Sequence, residues 1–392
     1  MKRDELHLST RAVHSELDEK RVNRPVASPI YLSATFEAAD VEEQIRLEAE
    51  GDTFYTRYGN PTLTAVERTL AALEGTESAL VFGSGMSAIT TTLLSFLGNG
   101  DHAVFQREVY GGTFRFAREV LPRFGVEVSF VDCAETEGFR QALRDNTRLV
   151  YLESPTNPTL KLVDLSAVAA IARSRGVKTF IDSTFATPFN TRPGDYGIDG
   201  ILHSATKYLG GHCDLLGGAL AGSREIVRDV RSYLKVLGGI LDPHAAYLLL
   251  RGVKTLGVRM DRHNRSALAV ARAFGGHARV RSVFYPMLES HSQHELARRQ
   301  MHGGGGVVSL ELQGTLETAK RFVNRLELFR IAPSLGGVES LVSIPCLTSH
   351  AMLSREEREQ AGIRDSLVRL ALGIEDAEDL IADIDNALAG LG

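Results

Sequence analysis

Six short apolar runs recur between residues 79 and 203: ALVF (79–82), HAVF (102–105), VEVSFV (126–131), RLVYL (148–152), VKTFI (177–181) and DGILH (199–203). Stretches of helical character separate them, each long enough for the crossover that parallel strands require. The alternation predicts βα units around a mainly parallel sheet covered on both faces.

The flanks read differently. Residues 1–60 are polar and irregular, with Pro25 and Pro29 and a single short helical stretch near 40–49, and they suggest an arm. Residues 61–245 carry the sheet pattern. From 246 to 392 a smaller α+β domain is expected: a long helical reading over 243–274, VVSLEL at 307–312, a helix near 315–327 and strands around 341 and 368. Pro286 and the Gly303–Gly306 run mark loops within it.

A chain of 392 residues, 43% hydrophobic, can supply both cores. Its net charge of -5 argues against nucleic-acid and membrane surfaces and points to small-molecule partners. Cys133, Cys213 and Cys346 lack CxxC spacing, which suggests neither a disulfide framework nor a zinc site and fits a reducing cytoplasm. The opening MKRDELHLSTRAVHSE has no apolar stretch of a signal peptide, and no membrane span is expected.

In an open α/β sheet the ligand lies at the carboxyl ends of the strands. There the unusual residues collect. GSGMSAI (83–89) is a glycine turn opening a helix whose first N–H groups could hold a phosphate, although alone it serves equally as a tight connection. It matches GxGxxA, but no acidic residue ends a second strand in the position a nicotinamide cofactor needs. Asp182, in IDSTFATP, follows one strand and Lys207, in HSATKYLGGHCD, follows the next. A carboxylate after a strand is often a helix cap. Paired with a lysine one strand-helix-strand unit away, it suits pyridoxal phosphate, which needs an amine for a Schiff base and an acid that keeps the pyridine nitrogen protonated. Ser204, Thr206 and the glycine pair at 210 and 211 would let a phosphate approach. His212 and Cys213 have no further ligand at metal-binding spacing, so no metal is expected.

These motifs, with YGNPT, SGMSA, ESPTNP, SLGGVESL and LVRLALGIED in the same order, resemble the Cys/Met-metabolism family of pyridoxal phosphate enzymes. Cystathionine γ-synthase, cystathionine γ-lyase and methionine γ-lyase are among its members. The resemblance implies an aspartate aminotransferase-like fold (fold type I), with a mainly parallel seven-stranded sheet and a smaller C-terminal domain. It also implies a homotetramer, a dimer of dimers with active sites shared between subunits. Lys207 would carry pyridoxal 5'-phosphate, Asp182 would pair with its ring nitrogen and Tyr110 would stack on the ring. Gly85, Met86, Ser204 and Thr206 would bind the phosphate, joined by Tyr55 and Arg57 from the neighbouring arm, and Asn157 would complete the cofactor environment. Arg369 would bind the substrate carboxylate, with Ser334 beside it.

Within the family, Gly112 stands where methionine γ-lyases carry cysteine, while Arg115 and Glu339 match positions able to face a polar distal group. Phe54 replaces the acidic residue that cystathionine lyases place before the arm tyrosine, and the 344–353 stretch differs from the commoner form. The expected chemistry is γ-elimination or γ-replacement of the cystathionine γ-synthase or γ-lyase kind. Methionine γ-lyase and O-acetylhomoserine sulfhydrylase chemistry are the alternatives, and a non-catalytic sensing protein is the reading from a different class.

Overall fold

The computed structural model describes residues 6–16, 25–50, 53–351 and 353–391. Arm residues 1–5, 17–24 and 51–52, and Met352 of the 344–353 stretch, lie outside the described residues. The larger sheet contains β1 (Ser78–Phe82), β2 (His102–Gln106), β3 (Glu127–Val131), β4 (Thr147–Glu153), β5 (Lys178–Asp182), β6 (Gly200–Ser204) and β7 (Gly218–Gly222). They lie in the order β1-β7-β6-β5-β4-β2-β3, all parallel except β7, which runs antiparallel to both neighbours.

Side chains alternate across this sheet with period two. Phe105, Tyr151, Phe180 and Leu202 enter one apolar layer, while Val104, Val150, Ile181 and Ile201 enter the other. Each such side chain contributes roughly 1.5–3 kcal/mol by burial. The strand ends that bear Glu153, Asp182 and Ser204 therefore project from strands buried on both faces.

A second sheet comprises β8 (Val280–Phe284), β9 (Val307–Leu312), β10 (Arg330–Ile331), β11 (Leu341–Ser343) and β12 (Leu367–Ala371), in the order β10-β11-β12-β9-β8. All its pairings are antiparallel except β10 with β11. Among the described residues no helix is long and apolar enough to cross a membrane.

Three features depart from the sequence reading. The helix expected over 243–274 is two helices, Pro243–Lys254 and Leu256–Phe274. They divide at Thr255, whose N–H and hydroxyl both donate to the Gly252 carbonyl, at 3.1 and 3.0 Å; such local bonding competes with helix continuation. The strand GALAG is absent from the six expected runs because glycine and alanine carry little strand propensity. It pairs with β1 and β6 on both sides, and its first glycine is required by a close neighbour: a Cβ on Gly218 would lie 2.2 Å from the Ser84 carbonyl oxygen. Finally, the N-terminal segment holds a helix, Leu8–His14, packed on its own chain through the buried Ala12, with Glu16 nearby paired to Lys254 at 2.7 Å.

Candidate active site

Lys207 follows β6 in a tight turn. Its N–H donates to the Ser204 carbonyl at 3.1 Å, and its own carbonyl accepts from Gly211 at 2.7 Å. Gly211 has φ +76°, and a Cβ there would meet the Arg259 guanidinium at 2.2 Å, so glycine is required on both counts. Buried Arg259 fixes the turn from beneath by donating to the Tyr208 carbonyl at 2.7 Å.

Lys207 Nζ donates to Ser334 Oγ at 2.7 Å, which ties the first domain to the second. The Ser334 carbonyl accepts from Arg369 at 2.7 Å, and Arg369 donates to Asn157 Oδ1 at 3.1 Å. Arg369 is 6% exposed, and burial pushes its pKa down to about 10. Its buried Nε has no hydrogen-bond partner among the described residues. A buried guanidinium with an open donor edge calls for an anion. Burial, then the Arg369 charge, lowers the Lys207 ammonium below its ordinary range.

Asp182, at the end of β5, is 7% exposed and accepts the Thr184 N–H at 2.9 Å. Burial raises its pKa, opposed by the Thr184 hydrogen bonds and by His203 and Lys207. Beside it in register stands Glu153, at the end of β4. Burial and the Asp182 charge raise the Glu153 carboxyl well above the carboxylate range. Two buried carboxyls at adjacent strand ends cannot both ionise readily, and the Thr184 bonds and nearby cations favour Asp182 as the charged member.

The anion cradle is shaped by absent side chains. A Cβ on Gly85 would lie 2.9 Å from Ser204 Cβ and 3.0 Å from its Oγ. Ser84 caps the helix Gly85–Phe96 by accepting from Ser87 N–H, which leaves the first N–H groups, Gly85 and Met86, free of acceptors among the described residues. The Thr206 hydroxyl is engaged with Gly217, donating to its carbonyl at 3.2 Å and accepting its N–H at 3.0 Å. An amine, a buried carboxylate, open helix N–H groups and a tight glycine cradle form the donor set that pyridoxal 5'-phosphate requires.

Tyr110 is 46% exposed, and its ring lies over Gly112, where a Cβ would meet Tyr110 Cε1 at 2.6 Å. Beside it a cavity of about 330 Å³ opens between segments 107–119 and 348–363 and is lined by Tyr110, Arg115, Arg118, Asn157, His350 and Leu353. Arg115 pairs with Glu119 at 2.9 Å at its rim. His350, missed in the sequence, is held neutral, its pKa lowered to about 4 by burial and by Arg369 and Arg358. Glu339 does not line this cavity. A Cβ on Gly337 would lie 3.6 Å from its buried Oε2 and 2.5 Å from Cys213 Sγ, which sets Glu339 beside Cys213 at the end of the Lys207 turn.

Tyr55 and Arg57 are not brought to Lys207 within this chain. Arg57 donates to the Lys235 carbonyl and stacks on Tyr58, 5.2 Å from the ring centroid. Sequence reasoning also passed over Glu153 and Thr184. Glu153 was findable by the rule that found Asp182, a carboxyl on the last residue of a strand at the ligand edge.

The family model for Cys/Met metabolism PLP-dependent enzymes matches residues 9–389. An L-methionine gamma-lyase of Fusobacterium nucleatum subsp. nucleatum is 42% identical, over 97% of this chain and 98% of its own. A cystathionine gamma-lyase of Bacillus subtilis is 41% identical, over 97% and 99%. Plant chloroplastic cystathionine gamma-synthases lie at 43–44%. The crystal structure of metB from Corynebacterium glutamicum superposes with a TM-score of 0.94 at 37% identity and covers 100% of both chains. Relatives of three activities thus fall between 41% and 44%, and overall identity does not rank them.

Proposed function

Because this chain belongs to the Cys/Met metabolism family of PLP-dependent enzymes, we propose that it performs γ-elimination or γ-replacement on sulfur amino acids or homoserine derivatives. Cystathionine γ-synthase or γ-lyase chemistry is favoured over that of methionine γ-lyase or O-acetylhomoserine sulfhydrylase. The observation that carries this reading is the run from Lys207 Nζ through Ser334 to Arg369, at 2.7 Å on each side. It joins the reactive amine and the carboxylate anchor through one residue. Retention of Lys207, Asp182 and Arg369 together argues against a sensing protein.

In this reading Lys207 holds the cofactor, Asp182 faces its ring nitrogen and Tyr110 covers the ring. Gly85 and Met86 N–H groups and the Ser204 hydroxyl take the phosphate; Thr206 joins them by turning its proton away from the Gly217 carbonyl. Pyridoxal phosphate, when bound, supplies the electron sink that acidifies the substrate Cα–H. Arg369 clamps the α-carboxylate, with Asn157 and Ser334 orienting its guanidinium. Tyr110 accepts a proton from the substrate amine. Lys207 Nζ, made less basic by burial and by Arg369, takes the Cα proton, gives it up again on the same face, and as the free amine then takes one from Cβ, so that the γ-substituent departs. Water then leads to an α-keto acid and ammonia, and a thiol leads to replacement.

Gly112 supports the cystathionine reading, since cysteine there would displace the Tyr110 ring from its observed place. Arg115, Arg118, Glu119 and Glu357 around the cavity suit a polar distal group; Glu339, beside Cys213 and outside this cavity's lining, would meet such a group from the Lys207 side. A panel of cystathionine, methionine, homocysteine and activated homoserine esters, with and without cysteine, decides the matter. Replacement with an ester and cysteine but little keto acid from cystathionine selects a synthase. Strong methanethiol release from methionine reverses the ordering.

The assembly is a homotetramer in the cytoplasm, each site completed by Tyr55 and Arg57 of a neighbour. The position of Arg57 away from its own Lys207 and the exposure of Val26 (96%) and Leu32 (70%) support this. Arg57→Ala and Lys207→Ala chains, each inactive alone, should regain roughly one quarter of wild-type activity after mixed reassembly, the share of sites that combine two intact halves. No recovery in proven hybrids counts against shared sites.

A further inference from the structure

The Glu153 carboxyl stands where the segments bearing Tyr110 and Asn157 meet. It is 4% exposed, and among the described residues it has no cationic partner. Its Oε2 accepts the Tyr110 backbone N–H at 2.6 Å, and the carboxyl also accepts the backbone N–H of Asn157. Its own N–H donates to Gln106 Oε1 at 2.9 Å. Beyond Asn157 the bonding continues to Arg369, Ser334 and Lys207.

We propose that Glu153 is a positioning residue: one buried carboxyl that fixes the backbones of Tyr110 and Asn157 at a set separation, and through them the ring cover and the carboxylate anchor relative to Asp182. A carboxyl buried without a cation costs more than an apolar side chain of similar size, so a role in stability alone does not account for it. Its reach matters more than its acidity. The side chain carries Oε2 from the strand end to within 2.6 Å of the Tyr110 nitrogen.

The inference rests on the roles given above to Tyr110 and Asn157. Two variants separate reach from the carboxyl group itself. Glu153→Gln keeps the length and a carbonyl acceptor; Glu153→Asp keeps the carboxyl and withdraws it by one methylene. Both are purified with pyridoxal phosphate. The readouts are visible circular dichroism per bound cofactor, cofactor affinity by equilibrium dialysis, kcat and KM, and the apoprotein thermal midpoint. Glu153→Gln should retain the dichroism and lie within about tenfold of wild type in kcat, whereas Glu153→Asp should lose dichroic amplitude and about 100-fold in kcat. The thermal midpoints of the two should remain similar. A Glu153→Asp enzyme like wild type, or a Glu153→Gln enzyme impaired as much as or more than Glu153→Asp, overturns the proposal. A wild-type protein with no visible cofactor band fails the cofactor assignment instead, a separate result.

Discussion

Lys207→Ala is expected to remove the visible absorption of the bound cofactor and to lower turnover by roughly 10⁴-fold. In the proposed mechanism two functions are lost at one atom: Nζ is the attachment point, and it is the base that moves the Cα proton. Arg369, which shares Ser334 with Lys207, cannot substitute, because even with its pKa pushed down to about 10 it stays protonated at neutral pH. Folding should survive, since among the described residues the only side-chain hydrogen bond of Lys207 is to Ser334. An unchanged thermal midpoint in the apoprotein would separate lost chemistry from lost structure. A variant that kept its band and normal γ-elimination would sink the assignment.

Arg369→Lys and Arg369→Ala come next in size. A two-pronged guanidinium-carboxylate contact contributes about 3 kcal/mol, so its loss should cost roughly 100-fold in kcat/KM, carried mainly by KM. Lysine keeps the charge but not the fork, and should recover only a small part of this. The alanine variant has a second signature. Arg369 is one cause of the lowered Lys207 pKa; without it the amine holds its proton more firmly, and the ascending limb of kcat against pH should move to higher pH. Unchanged KM together with an unmoved limb would remove Arg369 from the substrate site.

Much of this arrangement was legible because the chemistry lies at strand ends, and strands with bulky apolar side chains announce themselves. β5 and β6 could be read from VKTFI and DGILH, and Asp182 and Lys207 followed. β7 could not, since GALAG owes its place to what surrounds it rather than to its own preference. The 243–274 reading failed at one residue for a related reason: the sequence pattern carries through Thr255, and only the capture of the Gly252 carbonyl breaks the helix. Arg57 is a third case: under the proposed shared site its partner lies in another subunit, so the stacking on Tyr58 within its own chain describes only half of its setting.

The glycines around the anion cradle have a consequence for how such a protein can change. At Gly218 a methyl would collide with Ser84 oxygen at 2.2 Å, and at Gly85 with Ser204 Cβ at 2.9 Å. The helix end rests backbone on backbone with nothing left to trim, so substitution there can only add atoms and push the N–H groups outward. The chamber between 107–119 and 348–363 is walled by side chains and can be enlarged or narrowed one residue at a time. A lineage built on this frame can alter what it acts on far more readily than what it acts with.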